Sequence, residues 1–328
     1  MIISKTPLRM SFAGGGSDLS AYYRQSAGAV LSTSIDKYVY VMVNNKFDNY
    51  IRVGYSQTEY VHDISEIGHN IIRETLKKMN FSEPGLDIVY MADVLPKNWG
   101  TGLGFSSSLT VGLLNAIYAL KGENITPEKL AREACEIEID ILNSPIGKQD
   151  QYAAAYGGLN YIQFNSDDSV EVNPIICDES FLNNISNNLL LFYTGLNSDS
   201  SSVLSEQKVN TKKSTEVKES LDSMVSLAKE LRLSFDSKKF NVLGEILHKG
   251  WLSKRTLASK ISNSKIDKYY DLAMKSGAKG GKILGSGGGG FILLYCEPER
   301  QDSIRKELTE LTELKFSLTQ EGSRIIKV

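Results

Sequence analysis

Residues 100–112 read GTGLGFSSSLTVG: three glycines, then three serines, then an apolar run. A linker would stay polar on both sides. Here Leu103 and Phe105 interrupt the glycines, and Leu109, Val111, Leu113 and Leu114 follow at once. The stretch therefore reads as a glycine-rich loop opening a buried helix that ends at Gly122. Glycine permits positive φ and close backbone approach. The N–H groups of a first helical turn, aided by the helix dipole, bind anions. Two readings stand at this point. One is a phosphate cradle whose serine hydroxyls also reach a phosphate-bound Mg²⁺; the other is a tight turn capped by serine.

The bulk composition narrows the rest. A chain of 328 residues, with about 100–200 residues per domain, is expected to form two domains. Lys plus Arg total 37 against 39 acids, a formal charge of −2, so no nucleic-acid surface is expected. Cys135, Cys177 and Cys296 are widely spaced and form no CxxC pair, which argues against a disulfide framework or zinc site and fits a reducing cytoplasm. The opening residues lack the pattern of a signal peptide, and no apolar run reaches membrane length.

Along the chain, YVYVMVNN (38–45) and YIRVGYS (50–56) read as strands joined by a hairpin turn at KFDN. Residues 64–80 carry apolar residues at helical spacing, and 86–94 read as a strand. Residues 125–143 form a helix with Thr126 as N-cap and Pro127 at its first position. Further strands are expected at 157–165 and 188–195. The Ser-rich stretch after 195 reads as a mobile loop rather than a lid over substrate. Helices follow over roughly 213–232, 238–261, 264–276 and 298–312, and KFSLT and SRIIKV are strand-like. The domain boundary is expected near 170–188, giving an N-terminal unit 1–178 and a C-terminal unit 179–328.

Three more clusters could carry chemistry. PLRMSFAGGGSD (7–18) places Arg9 in a strand and Gly14, Gly15, Gly16, Ser17 and Asp18 before a helix. Asp18 is then either that helix's N-cap or a grip on sugar hydroxyls. SPIGKQDQYAAAYGG (144–158) sets Asp150 among small residues, where it would orient or deprotonate an attacking hydroxyl. Glu138 is either a Mg²⁺ ligand or part of a solvated helix face. GSGGGG (285–290) is either a tight turn or a close backbone approach to another loop or a ligand. No GxxxxGK[ST] occurs, and the formal GxGxxG at 285–290 precedes a strand rather than a helix, so neither common nucleotide fingerprint applies.

The clusters in this order resemble the GHMP small-molecule kinase superfamily over about residues 6–295. PLRMSFAGGGSD is similar to its first motif, GTGLGFSSS to its ATP-binding second and KILGSGGGGF to its third. FAGGGSD, GKQDQYAAAYGG and GGKILGSGGGGF resemble the sugar-1-kinase branch acting on heptose 7-phosphate. The resemblance implies an α+β, two-domain fold: an N-terminal mixed α/β domain, a C-terminal ferredoxin-like domain and an active site in the cleft between them. It implies ATP and Mg²⁺ as cofactors and a phosphorylated sugar as substrate. The product would serve nucleotide-activated heptose biosynthesis for surface polysaccharide. Membrane and nucleic-acid partners are not expected, and assembly as a homodimer is left open.

Residue by residue, the resemblance puts Gly100, Gly102, Gly104, Ser106, Ser107 and Ser108 on the phosphate loop. It makes Ser106 and Glu138 the Mg²⁺ ligands, Asp150 the catalytic Asp, Arg9 the basic residue near the transferred phosphate and Asp18 the substrate-binding Asp. Gly14, Gly15, Gly16, Ser17, Gly287 and Gly288 join the substrate side. Lys254 and Arg255 are candidates for a distal sugar phosphate, against a charged outer helix face. Trp99 is a candidate for the adenine pocket. Phe105 departs from the family, which has serine there. Other readings are a different sugar-1-kinase, acting on fucose or a hexose, a decarboxylase of the same family, and a non-catalytic sugar- and ATP-binding sensor.

Overall fold

The computed structural model describes residues 1–81, 85–94 and 101–326. Two long strands dominate the first half: β1 (Ile2–Ala13) and β2 (Gly28–Asn45). They pair antiparallel, with register shifts between Pro7 and Leu8 and between Ser11 and Ala13. A short helix, α1 (Ser20–Tyr23), lies between them. Then come β3 (Ile51–Gly54), β4 (Thr58–Val61), α2 (Asn70–Lys78) and β5 (Leu86–Ala92). The sheet runs β4–β3–β5–β2–β1, so the expected hairpin between 38–45 and 50–56 does not form. Instead β5 takes the place beside β2, and β3 lies parallel to β5. A parallel pair needs a crossover, and α2 lies in it. The 64–80 segment is accordingly split into a one-turn 3₁₀ helix at Ile64–Glu66, capped by Asp63, and α2 itself.

The chain then folds α3 (Phe105–Leu120) and α4 (Pro127–Cys135), a π-helical turn at Glu136–Ile141, α5 (Gln149–Tyr156), β6 (Leu159–Phe164) and β7 (Val170–Pro174). Thr126 caps α4 as expected, accepting from the Lys129 N–H. Helix α3 is buried on nearly all sides, because it packs against β1 and β2 and is flanked by α2, α4 and α5. Past β7 come α6 (Glu179–Asn187), β8 (Leu189–Tyr193), α7 (Ser200–Lys213), α8 (Thr215–Asp236), α9 (Leu243–Arg255), α10 (Ser264–Lys275), β9 (Gly280–Ile283), β10 (Phe291–Tyr295), α11 (Pro298–Glu307) and β11 (Thr312–Glu313). These strands form a four-stranded antiparallel sheet, β11–β8–β10–β9. The Ser-rich stretch read as a mobile loop is helix α7. Asp199 accepts from the Ser202 N–H and starts it, and Val203, Gln207 and Thr211 are buried at helical spacing.

The chain does not end in the small sheet. β12 (Leu318–Thr319) pairs with β2 and β13 (Arg324–Ile326) with β1, so residues 318–326 lie with the first half. β1 is buried on both faces, with α3 and α5 on one side and α8 and α9 reaching the other. Phe12 meets Phe235 of α8 edge-on at 6.4 Å. The result is the two-domain α+β arrangement expected, with a cleft where the two sheets approach. No helix among the described residues is long and apolar enough to cross a membrane.

Two contacts join the two halves beside that cleft. Lys282 of β9 donates from Nζ to the Ser11 carbonyl at 2.9 Å. Gly285 meets Gly102 backbone to backbone: a Cβ on Gly285, at φ +69°, would stand 2.4 Å from Gly102 Cα. Gly122, at φ +75°, has open space around its would-be Cβ. Gly122→Ala therefore costs only the left-handed backbone penalty, roughly 1–2 kcal/mol. Gly285→Ala adds a clash between the two halves and lowers the urea midpoint clearly further. Equal losses would show that the approach is not tightly packed.

Candidate functional site

Arg9 lies on β1, where its backbone N–H donates to Leu103 O at 3.0 Å and ties the strand to the loop before α3. Its side chain is 3% exposed. Nε and Nη2 donate to the two carboxylate oxygens of Asp150 at 2.8 and 2.7 Å, and Nη1 to the Gly102 carbonyl at 2.6 Å. A two-pronged pair of this kind fixes orientation as well as charge. Gly104 makes room for it. At φ +78° it starts α3, and a Cβ there would stand 3.2 Å from Arg9 Cγ and 3.5 Å from Asp150 Oδ2. No side chain caps α3, which leaves the N–H groups of its first turn for a ligand.

The three serines part company. Ser106 donates from Oγ to Glu138 Oε1 at 2.6 Å. Ser107 lies beside it in the cavity wall. Ser108 turns inward to the Pro7 carbonyl at 2.8 Å and is fully buried. Its expected place on the phosphate loop is corrected: it fastens α3 to β1. Glu138 is 2% exposed, so the solvated-face alternative falls. Its other oxygen accepts from Gln151 Nε2 at 2.7 Å. Burial pushes its carboxyl up to about 7, with the charge of Asp150 adding and the hydrogen bonds opposing. Phe105 opens α3 with its ring 6.0 Å from that of Tyr90, which stacks on Tyr55. Phe105 thus gives the cavity an aromatic wall at the start of α3.

Asp18 does not cap α1, whose N-cap position is Leu19. Its carboxylate, 2% exposed, accepts from Gly16 N at 2.9 Å, Gln149 Nε2 at 2.9 Å and Gln149 N at 3.3 Å. Burial, then the charge of Asp150, raises its pKa. Gly14 and Ser17 stand apart from the ligand side. Ser17 Oγ donates to Gly14 O at 2.8 Å and accepts from Ala29 N at 3.0 Å, pinning the turn to β2.

Arg9, Asp18, Glu138, Asp150, Ser106 and Lys254 face one cavity of about 310 Å³. Gly15, Gly16, Gly102, Gly104 and Ser107 also line it from the first half, and Gly285 and Ser286 from the second. Gly287 and Gly288 do not line it. Gly288 N donates to Ile261 O at 2.8 Å, and Gly287 packs on the same residue, so these two shape the loop behind the wall. Lys254 is buried and inside, donating from Nζ to the Gly285 carbonyl. Arg255 is outside: its guanidinium pairs with Asp267 at 3.0 Å on the surface, which corrects its expected contact with substrate. Successive helix positions point about 100° apart, so one neighbour enters the cleft and the other leaves it. Gly100 and Trp99 lie outside the described residues.

Sequence reasoning missed the face of α7 formed by Ser200, Leu204 and Gln207, which lines the cavity, with Gln207 beside Gly16 of the Asp18 loop. Their i, i+4, i+7 spacing was the available signal, hidden by a polar composition. It also missed Lys282, a lone lysine in an apolar strand, which burial holds far below its ordinary pKa.

Among the described residues no group of three or more His, Cys, Asp or Glu gathers to hold a metal. Ser106 and Glu138 nevertheless fit a Mg²⁺ that takes most of its ligands from phosphates and water. They offer a hydroxyl and a desolvated carboxylate 2.6 Å apart at the open end of α3.

Burial, followed by the charge of Arg9, lowers the Lys254 pKa from its ordinary 10.5 to about 8. Between those values the unfolded chain holds a proton that the native one has released, so stability rises with pH across that window and is lost again as pH falls through 8. Lys254→Met removes this dependence. The stability of the wild type relative to the variant should gain up to roughly 3 kcal/mol between pH 7 and 10.5, read from denaturant melts. Parallel pH curves would contradict this.

The GHMP kinase N-terminal domain model matches residues 68–158, and the GHMP kinase C-terminal model matches 224–313. Over 98% of its length the chain is 29% identical to a D-glycero-alpha-D-manno-heptose 7-phosphate kinase of Campylobacter jejuni, covering 97% of that protein. A crystal structure of a D-glycero-D-manno-heptose 1-phosphate kinase from Bacteriodes thetaiotaomicron superposes over 100% of this chain and 99% of that one, with TM-score 0.81 and 24% identity. A putative sugar kinase from Campylobacter jejuni does so over 100% and 98%, with TM-score 0.78 and 26% identity. The chain belongs to the GHMP kinase family and is a phosphotransferase with an alcohol group as acceptor.

Proposed function

We propose that this protein uses ATP and Mg²⁺ to phosphorylate the anomeric hydroxyl of D-glycero-D-manno-heptose 7-phosphate, giving the 1,7-bisphosphate. The observation that carries the reading is the Asp150 carboxylate, held by both prongs of Arg9 beside the uncapped start of α3. That juxtaposition suits in-line transfer, which asks for positioning and charge neutralisation more than covalent chemistry. The full-length similarity to a heptose 7-phosphate kinase supports the choice of sugar.

In this account the first-turn N–H groups of α3 hold the nucleotide's phosphates. Ser106 and Glu138 hold the metal ion, which when bound supplies neutralisation of phosphate charge. Asp18, kept rigid by Gly16 and Gln149, offers its remaining lone pairs to sugar hydroxyls. Asp150 accepts the proton of the attacking hydroxyl, and Arg9 keeps that carboxylate aimed.

Asp150→Asn keeps the shape and removes the acceptor. We expect kcat to fall by about 10²–10⁴-fold, with ATP affinity kept, in an assay of ADP release. A panel of sugars with and without terminal phosphates, followed by ³¹P NMR of the products, tests the substrate. New phosphate at C1 of the heptose 7-phosphate is the expected result. Preference for fucose or a hexose would move the protein elsewhere among sugar-1-kinases, and ATP binding without turnover on any sugar would make it a sensor.

A further inference from the structure

Lys254 closes the last turn of α9, is 4% exposed and faces the cavity. Among the described residues it forms no ion pair; its Nζ donates to the Gly285 carbonyl. A buried ammonium without a carboxylate partner is costly, and the neighbouring acids are already engaged. Asp150 takes both prongs of Arg9, Asp18 takes Gly16 and Gln149, and Glu138 takes Ser106 and Gln151. Lys282, the other buried lysine nearby, is held by Ser11 O and lies outside the cavity wall. Lys254 is thus a cavity-facing cation supplied with a carbonyl and no anion.

Its position along the cavity is given by what it touches. Gly285 abuts Gly102, and the Gly102 carbonyl holds Arg9 Nη1, whose guanidinium holds Asp150. Lys254 therefore stands on the chain of contacts that leads to the reacting carboxylate.

We infer that Lys254 contacts the phosphoryl group in transit, as a catalytic residue supplied by the second half of the chain, and does not anchor the remote phosphate of the sugar. This rests on the sugar-kinase reading proposed above. In the step, a bond forms between the acceptor oxygen and the γ-phosphorus of ATP. The bond from that phosphorus to the bridging oxygen breaks, and its electron pair leaves on ADP. The hydroxyl proton passes to Asp150, while Lys254 keeps its own. Charge spreads over the three oxygens of the moving group, so a cation there favours the transition state over the bound substrate. An anchor for a remote phosphate would act on both alike and would show in KM. The charged groups facing Lys254 are Arg9 on β1, Asp18 in the first loop, Asp150 on α5 and Lys282 on β9. Burial and Arg9 favour its neutral form, and Asp18 and Asp150 oppose that.

The test uses the whole protein with Lys254→Met and Lys254→Arg, assayed with heptose 7-phosphate and with the same heptose lacking the 7-phosphate. Lys254→Met should lower kcat by about 10²-fold or more on either sugar, with KM for each changed less than about threefold. Lys254→Arg should recover about tenfold or more of that loss. In the wild type, kcat/KM, which reports the free enzyme, should fall above about pH 8, and that limb should be missing in Lys254→Arg. If Lys254→Met fails to fold, the same split is read in Lys254→Arg: lowered kcat with unchanged KM supports the inference. A rise in KM confined to the phosphorylated sugar, with kcat intact, overturns it, as does normal turnover by Lys254→Met. A wild type inactive on every sugar overturns the kinase reading itself, a separate outcome.

Discussion

The ion pair between Arg9 and Asp150 is the contact on which the site depends. Arg9 belongs to β1, which pairs with the central strand β2 of the large sheet, and Asp150 to the first turn of α5. The same guanidinium holds the carbonyl of Gly102 in the loop that opens α3. One side chain thus fixes three segments far apart in sequence. The guanidinium is almost wholly out of water, where leaving it unpaired would be costly, while the Asp150 carboxylate stays partly open to the cavity. The glycine at 104 follows from this, because its backbone is left-handed and any side chain there would press on Arg9.

Around that pair the cavity separates two tasks. On one side, α3 begins without a capping side chain, and Ser106 and Glu138 stand beside it. On the other, Asp18 is immobilised by Gly16 and Gln149, with Gln207 of α7 behind. The burial of Glu138 and Asp18 raises both carboxyls above their ordinary range. A cation or a hydroxyl donor placed beside either carboxylate would offset that cost of burial. The second half of the chain adds Lys254 and the wall at Gly285 and Ser286.

The parts of this site legible in the sequence were those whose chemistry is local. A glycine run before an apolar helix marks a helix N-terminus, and α3 begins there at Phe105; that no serine caps it came only from the structure. Asp18 and Asp150 stood out because small residues crowd them. What was not legible depends on pairing across the fold. The hairpin expected between 38–45 and 50–56 failed because β5, forty residues on, takes the place beside β2. The glycines at 287 and 288 looked like ligand contacts, but their neighbour is Ile261. Ser108 and Ser106 look alike in the sequence, yet two helix positions turn one toward β1 and leave the other at the cavity. Lys254 and Arg255 are adjacent and charged, and only packing shows that one enters the cleft. The Ser-rich α7 lacked the apolar stripe that announces a helix, because the residues it turns toward the cavity include Ser200 and Gln207.

The measurement that bears most directly on the central pair is a double-mutant cycle on kcat, with Arg9→Met, Asp150→Asn and both together. Residues that act as a unit lose activity non-additively. If Arg9 works by aiming Asp150, the double variant should be no more than a few-fold slower than Asp150→Asn alone. Losses that multiply across the cycle would contradict the account, since Arg9 would then act on the reacting phosphate independently of Asp150.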